Sequence, residues 1–151
     1  MPARKEAESR PPSSELDDAK PLPLVVWAAR LAVYFLAQGG TLLSSYAYYG
    51  FGTDPDSFPL GFRLDPLLAF VHLLWGVAGT YIGFFRPRYA LAFVFAFAAF
   101  FTILVASLTL ASPFGIEIDD RAKLFYWLVI AAAWIAALYG LRQVRLGRGA
   151  S

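Results

Sequence analysis

Residues 89–111 read YALAFVFAFAAFFTILVASLTLA and contain no charged side chain. The hydrocarbon core of a bilayer is about 30 Å thick, and a helix needs about 20 apolar residues to cross it. This stretch is long enough, and three further apolar stretches occupy most of the remaining chain. The sequence therefore predicts an all-α, four-helix transmembrane bundle, with helices at about 24–49, 66–85, 89–111 and 121–141.

The composition of the whole chain agrees with this class of protein. Hydrophobic residues make up 58% of the 151 residues and charged residues only 16%, whereas about a quarter of a soluble domain is charged. The charged residues cluster between the apolar stretches. The sequence contains no cysteine, which excludes disulfides, thiolate metal sites and cysteine nucleophiles.

The two ends of the chain are polar. Residues 1–22 have almost no apolar side chains to bury, so we expect a disordered cytoplasmic tail. They do not form a cleaved signal peptide, in which a short apolar run follows a basic start. Residues 143–151 are expected to form a short basic cytoplasmic tail, which leaves 23–142 as the membrane domain.

Lysine and arginine predict the direction in which the helices cross, because cytoplasmic loops carry an excess of both. Ten of the 13 cations lie before or just inside the first helix, in the loop around residue 87, or in the C-terminal tail. We therefore expect two hairpins in a bacterial inner membrane, with both termini cytoplasmic. Cations near the anionic leaflet attract it, and the predicted lipid-surface anchors are Arg86, Arg88, Arg142, Arg145 and Arg148.

Small residues predict where the helices touch. Lipid tails are as apolar as leucine, so transmembrane helices associate where small side chains let their backbones approach. Such residues recur along three of the four predicted helices. The predicted packing residues are Gly40, Ser44, Gly76, Gly79, Gly83, Ala132, Ala136 and Gly140.

The third helix carries alanines on one face and phenylalanines on the others. We expect the alanine face to pack inward and the phenylalanines to face lipid. The alternative is that the phenylalanines meet a partner subunit or a pigment. The alanines are Ala92, Ala96, Ala99 and Ala106, and the phenylalanines are Phe93, Phe97, Phe100 and Phe101.

Two ten-residue segments at predicted helix starts look alike. Residues 63–72 read RLDPLLAFVH, and residues 117–126 read EIDDRAKLFY. In the first, Asp65 is expected to cap the helix and Pro66 to occupy its first turn. A repeat of two hairpins would give the second and fourth helices equivalent roles. Chance similarity between apolar segments is the alternative.

The segment HLLWGVAG at residues 72–79 precedes a tight hairpin, and a Phe-Gly-Ile turn precedes the last helix. In these features residues 63–141 resemble the small four-helix bacterial membrane proteins of domain of unknown function 4383. The resemblance implies fold and topology but no activity. That family often has an asparagine shortly before the histidine, where this chain has Leu68 or Ala69. It also repeats an Asn/His element at the last helix, where this chain has Tyr126 or Trp127.

His72 is the only histidine, and it lies about two turns inside the second predicted helix. An ionisable side chain within a span is a functional hypothesis by default. The favoured interpretation is structural, a bond from the ring to a carbonyl or tyrosine of a neighbouring helix. The alternatives are a ligand to haem or chlorophyll, a hydrogen bond to a quinone, and a pH-sensitive or substrate contact. Gln38 is expected to bond a neighbouring helix, with a polar pocket as the alternative.

The number of available ligands limits the cofactors. Cytochrome-type haem takes two axial ligands, usually His/His or His/Met, and besides His72 the chain has only Met1. Chlorophyll needs one ligand, so a pigment inside a larger complex stays open. No Asp or Glu lies within a predicted span, and this disfavours a proton relay.

These observations favour a non-enzymatic membrane protein with a structural or accessory role. Its expected partners are membrane lipids and other membrane subunits, or a second copy of the chain, and not nucleic acid. No cofactor is expected, apart from the open case of a pigment held by one ligand. The alternatives are a redox-accessory protein that binds a cofactor through His72, and a small transporter with Gln38 and His72 near its substrate path.

Overall fold

The computed structural model describes residues 22–50, 65–111, 116, 118 and 120–148. This part of the chain is helical and has no strand. A 3-10 turn at Pro87–Tyr89 precedes α4, and the helices are α1 Pro23–Arg30, α2 Val33–Tyr49, α3 Pro66–Phe85, α4 Ala90–Ala111 and α5 Asp120–Arg148. The tail before residue 22 lies outside the described part, as do residues 51–64, 112–115, 117, 119 and 149–151.

Among the described residues, four helical segments are long and apolar enough to cross a membrane. They are Pro23–Tyr48, Pro66–Phe85, Pro87–Ala111 and Asp120–Leu146, with mean hydropathies from 1.2 to 2.5. The all-α class and the four long apolar helices are therefore confirmed. The architecture is compatible with a multi-pass integral membrane protein.

The first of these segments combines α1 and α2, which we call the first span. A turn at Leu31 and Ala32 separates the two helices, and both residues keep right-handed helical dihedrals. The amide of Ala32 bonds the carbonyl of Ala29, and the amide of Tyr34 bonds that of Leu31. These three-residue bonds are typical of a 3-10 turn, so α1 and α2 run in the same direction despite the break.

The start of α3 is confirmed, and the end of α5 differs from the prediction. The carboxylate of Asp65 accepts a hydrogen bond of 2.8 Å from the amide of Leu67, with Pro66 in the first turn. α5 continues to Arg148 instead of ending at residue 141. The apolar run predicts only the length within lipid. The residues beyond it form helix readily, and arginine is favourable near a helix C-terminus.

α3 packs antiparallel against the first span through a row of glycines. A Cβ atom added at Gly79 would collide with the side chain of Ala32, and one at Gly83 would lie 2.8 Å from the backbone nitrogen of Arg30. An added Cβ at Gly76 would meet the backbone of Leu36. Residues later in α3 contact residues earlier in the first span, as expected for two antiparallel helices. The glycine row consists of Gly76, Gly79 and Gly83.

On α2, the residue that contacts α3 is Gly39, and the predicted packing residues were Gly40 and Ser44. A Cβ added at Gly39 would lie 2.5 Å from the amide nitrogen of Leu73, whereas at Gly40 the nearest atom is 3.9 Å away. Ser44 is exposed. Adjacent residues lie about 100° apart around a helix, so Gly40 and Ser44 face away from the seam that Gly39 makes.

Of the three predicted packing residues of α5, two are buried and one is exposed. Ala136 is buried, and a Cβ added at Gly140 would lie 2.8 Å from the side chain of Val25 and 2.7 Å from that of Leu91. Ala132 is exposed, and the buried position is its neighbour Ala133. Ala136 and Gly140 therefore lie at helix contacts, while Ala132 does not.

The predicted faces of α4 are wrong for most of their residues, although Phe100 is exposed as predicted. Phe93, Phe97 and Phe101 are 7%, 6% and 1% exposed, while Ala92 and Ala96 are exposed. The phenylalanines fill the space between helices, where the ring centroids of Phe97 and Phe101 lie 4.5 Å apart. Large side chains make many dispersion contacts in a packed interior, and this outweighs the close approach that alanines would permit.

The glycine row generates a stability prediction. Gly79→Leu or Gly83→Leu should lower the thermal midpoint in detergent, because the new side chain forces two backbones apart. Overpacking of this kind costs about 1–3 kcal/mol. Ala78→Leu is the matched control, since Ala78 is an exposed neighbour on α3. Unchanged midpoints in both glycine variants would contradict the packing of α3 on the first span.

Candidate functional site

Three polar side chains from three different helices meet inside the bundle. His72 lies on α3, Gln38 on α2 and Tyr126 on α5. His72 is completely buried, and Tyr126 is 1% exposed. We call these three residues the His72 cluster.

Both ring nitrogens of His72 form hydrogen bonds. Nδ1 lies 2.9 Å from Oε1 of Gln38, and Nε2 lies 2.8 Å from the hydroxyl oxygen of Tyr126. The amide oxygen can only accept, so Nδ1–H donates to it. In a neutral imidazole, whose one proton is then on Nδ1, Nε2 accepts from the tyrosine hydroxyl.

Close approach of the α2 and α3 backbones brings Gln38 and His72 together. Gly39 lies against the backbone of Leu73 and Ala69, so the neighbouring side chains of Gln38 and His72 lie within hydrogen-bond distance. A larger residue at Gly39 would separate the two helices and lengthen this bond. The glycine seam and the polar cluster are therefore parts of one contact.

Aromatic rings enclose the imidazole. The centroid of Phe35 lies 4.7 Å from that of His72, at an interplanar angle of 64°. The ring of Phe101 lies 6.0 Å away, and that of Tyr126 lies 5.5 Å away at 78°. Edge-to-face aromatic contacts of this kind favour a defined orientation, so the ring is held by packing as well as by hydrogen bonds.

This geometry limits the chemistry available to His72. A metal or pigment ligand must offer a nitrogen lone pair, and the lone pair on Nε2 accepts from Tyr126. Ligation would therefore require the loss of that bond or a change of tautomer. Among the described residues, no group of three or more His, Asp or Glu side chains is placed to hold a metal ion.

Arg30, the last residue of α1, lies against the C-terminal end of α3. Nε of Arg30 donates a 3.0 Å hydrogen bond to the carbonyl of Gly83, near the C-terminus of α3. The guanidinium of Arg30 also lies 5.5 Å from the ring centroid of Trp27 and 5.1 Å from that of Phe84. A cation at a helix C-terminus meets a partial negative charge, so Arg30 is stabilised within α1.

Four of the five predicted lipid anchors have described side chains, and all four are exposed: Arg86, Arg88, Arg142 and Arg145. Nε of Arg86 lies 3.4 Å from the hydroxyl oxygen of Tyr81, and the guanidinium of Arg88 lies 4.8 Å from the ring centroid of Tyr89. Arg148 belongs to α5, but its side chain lies outside the described part.

Tyr126 is the cluster residue that the sequence interpretation missed, because tyrosines near helix ends are common at membrane interfaces. A signal was nevertheless present. His72 and Tyr126 are the last residues of the two similar segments 63–72 and 117–126. If those segments are aligned as a repeat, the two residues occupy equivalent positions, and equivalent positions can meet across a two-fold arrangement.

The cluster generates a second stability prediction. His72→Gln should largely preserve the thermal midpoint in detergent, because an amide can replace one of the hydrogen bonds. His72→Leu and Tyr126→Phe should each cost roughly 1 kcal/mol, the scale of a hydrogen bond between membrane helices. Tyr139→Phe is the control, as a 44% exposed tyrosine on α5. Equal midpoints for the wild type and His72→Leu would show that these bonds do not stabilise the bundle.

Comparisons with protein-family models, with curated proteins and with solved structures found no match to this chain. The resemblance of residues 63–141 to domain of unknown function 4383 therefore stays a prediction, together with the topology that it implies.

Proposed function

We propose that this chain is a non-enzymatic accessory protein of a membrane, acting as a rigid subunit of a larger membrane assembly. The observation that carries this proposal is the double hydrogen bond of His72 to Gln38 and Tyr126. The most prominent polar groups in the bundle interior bond one another. Their geometry suits the joining of helices.

The alternative roles both need the same groups to act on something else. A cofactor bound through His72 needs a ring nitrogen, and a transport path needs Gln38 and His72 to face a substrate. In the His72 cluster, both residues are engaged with neighbouring helices. Breaking either bond would leave a polar group unpaired within lipid, which costs several kcal/mol.

The outer surface supports an accessory role. α5 exposes large apolar side chains along one side, including Leu128 at 62%, Ile135 at 66% and Leu138 at 57%. On α4, Ile103 is 68% exposed and Leu110 is 86% exposed. Such a surface suits lipid or the apolar surface of another membrane subunit. The partner can be a different chain or a second copy of this one.

The proposed placement is a bacterial inner membrane with both termini in the cytoplasm. It is supported by the arginines, since Arg86, Arg88 and Arg142 lie at the bundle end where Val25, Leu91 and Gly140 meet. Cations at one end are typical of the cytoplasmic side. The two-hairpin topology agrees with the antiparallel contacts between the first span and α3.

Purification in a mild detergent tests the accessory role. The protein should migrate as an assembly larger than one chain, and a harsher detergent should reduce it to single chains while the thermal midpoint of the bundle persists. Its absorption spectrum should show no visible band. A single chain in the mild detergent, with a visible band that His72→Leu abolishes, would instead establish a cofactor protein.

Labelling of single cysteines tests the orientation, because the chain has no cysteine of its own. Thr53→Cys and Ser151→Cys place one thiol in the first loop and one at the C-terminus. An impermeant thiol reagent added to spheroplasts should label position 53 only, and position 151 should react after lysis. The opposite pattern would reverse the orientation.

A further inference from the structure

Exposed arginines surround the point where the N-terminal tail joins the bundle. A Cβ atom added at Gly140 would lie 3.6 Å from the side chain of Leu22 and 2.7 Å from that of Leu91. Leu22, the first described residue, therefore lies beside the start of α4 and the last turns of α5. We call the exposed arginines next to this point the basic rim: Arg88, which precedes α4, and Arg142 and Arg145, which follow Gly140.

The described helices supply no carboxylate at this end of the bundle. The acidic residues with described positions are Asp65 and Asp120, and they stand at the starts of α3 and α5. Both starts lie at the opposite end from the basic rim. The sequence between residues 66 and 116, and after residue 120, contains no Asp or Glu. A cluster of one charge attracts a partner of the other, so the rim suits an anionic partner from outside these helices.

The chain itself carries such a group within reach. Residues 15–18 read ELDD and precede Leu22 by a few residues. An extended chain spans about 3.5 Å per residue, so Asp18 can lie up to about 14 Å from Leu22 and Glu15 up to about 24 Å. A helix with its side chains is about 10–12 Å wide and rises about 1.5 Å per residue, which places Arg145 about 7.5 Å beyond Gly140 along the axis. The carboxylates can therefore reach the basic rim, including its arginines on the far side of α5.

We propose that residues 15–18 of the N-terminal tail dock on the basic rim, in competition with the anionic headgroups of membrane lipids. The segment carries three negative charges and no positive one, and it meets the three positive charges of the rim. Exposed ion pairs are individually weak. A short connection to the bundle compensates for this, because it keeps the segment at a high effective concentration next to the rim.

Docking changes what the basic rim offers to a membrane. Arginines next to an anionic leaflet attract it, and a docked tail neutralises the same arginines. Lipid contact at the rim therefore requires displacement of the tail, so the tail acts as a competitor built into the chain. This inference goes beyond the accessory role and does not depend on it, nor on the direction in which the helices cross, because the tail and the rim lie at the same end of the bundle.

The distance between two spin labels tests the docking. Ser14→Cys places one label next to the acidic segment, and Leu146→Cys places the other on α5 at a residue that is 59% exposed. The chain has no cysteine of its own. The full-length protein is reconstituted at one chain per nanodisc of phosphatidylcholine, and double electron–electron resonance measures the distribution of distances.

We expect a short, narrow distribution with the native charges. Asp17→Asn combined with Asp18→Asn should lengthen and broaden it, because the docked population is lost. Glu6→Gln combined with Glu8→Gln is the matched control, since it removes the same charge farther from Leu22 and should leave the distribution unchanged.

Charge exchange and competition test the ionic character of the contact. Arg142→Glu combined with Arg145→Glu should also broaden the distribution, and adding Asp17→Lys and Asp18→Lys to that variant should restore the narrow one. Raising the salt from about 0.01 M to about 1 M, which shortens the Debye length from about 30 Å to about 3 Å, should release the tail. Nanodiscs that contain phosphatidylglycerol should release it too.

Three results would overturn the proposal. The first is the same distribution with the native charges and with Asp17→Asn and Asp18→Asn combined. The second is a short distance that persists in high salt and with phosphatidylglycerol, which would show a contact that is not ionic. The third is a short distance that occurs only in nanodiscs holding two chains, which would place the tail on a second copy instead of on its own bundle.

Discussion

The hydrocarbon interior of a membrane offers no water to a polar group, and this constraint explains the centre of the structure. A buried imidazole must find its partners within the protein. His72 finds one partner on α2 and another on α5. The glycine row holds the first span and α3 together as one antiparallel pair. The bond to Tyr126 then connects this pair to α5, so one side chain links elements that are far apart in the chain.

Packing and hydrogen bonding reinforce each other around this link. Gly39 sits against α3 one residue from Gln38, and Phe101 of α4 packs on the ring of His72. α4 and α5 have a polar link of their own, because Nε1 of Trp134 donates to the hydroxyl of Thr102 at 3.0 Å. That hydroxyl donates in turn to the carbonyl of Ala98. Each pair of helices is thus held by close approach or aromatic packing, with a few polar bonds at defined places.

The parts of the fold that the sequence predicted are those governed by length and by local rules. Apolar length predicted four helices long enough to cross a membrane, and the Asp65–Pro66 pair predicted the start of α3. The sequence does not predict which face of α4 is buried, because alanine and phenylalanine are both apolar and either can face lipid. Gly39 and Gly40 are equally small, so the sequence does not show which of the two meets α3. Only the three-dimensional fold shows that Tyr126 faces His72.

The uninterrupted course of α5 has a mechanical consequence. Its 29 residues extend about 43 Å at 1.5 Å per residue, well beyond the hydrocarbon core. A flexible tail would let Arg142 and Arg145 settle at any height above the lipid, but a continuous helix holds them at a height that depends on its tilt. Helices respond to hydrophobic mismatch by tilting. A thinner host membrane would therefore change the tilt of the bundle, and the continuous helix would carry Arg142 and Arg145 with it.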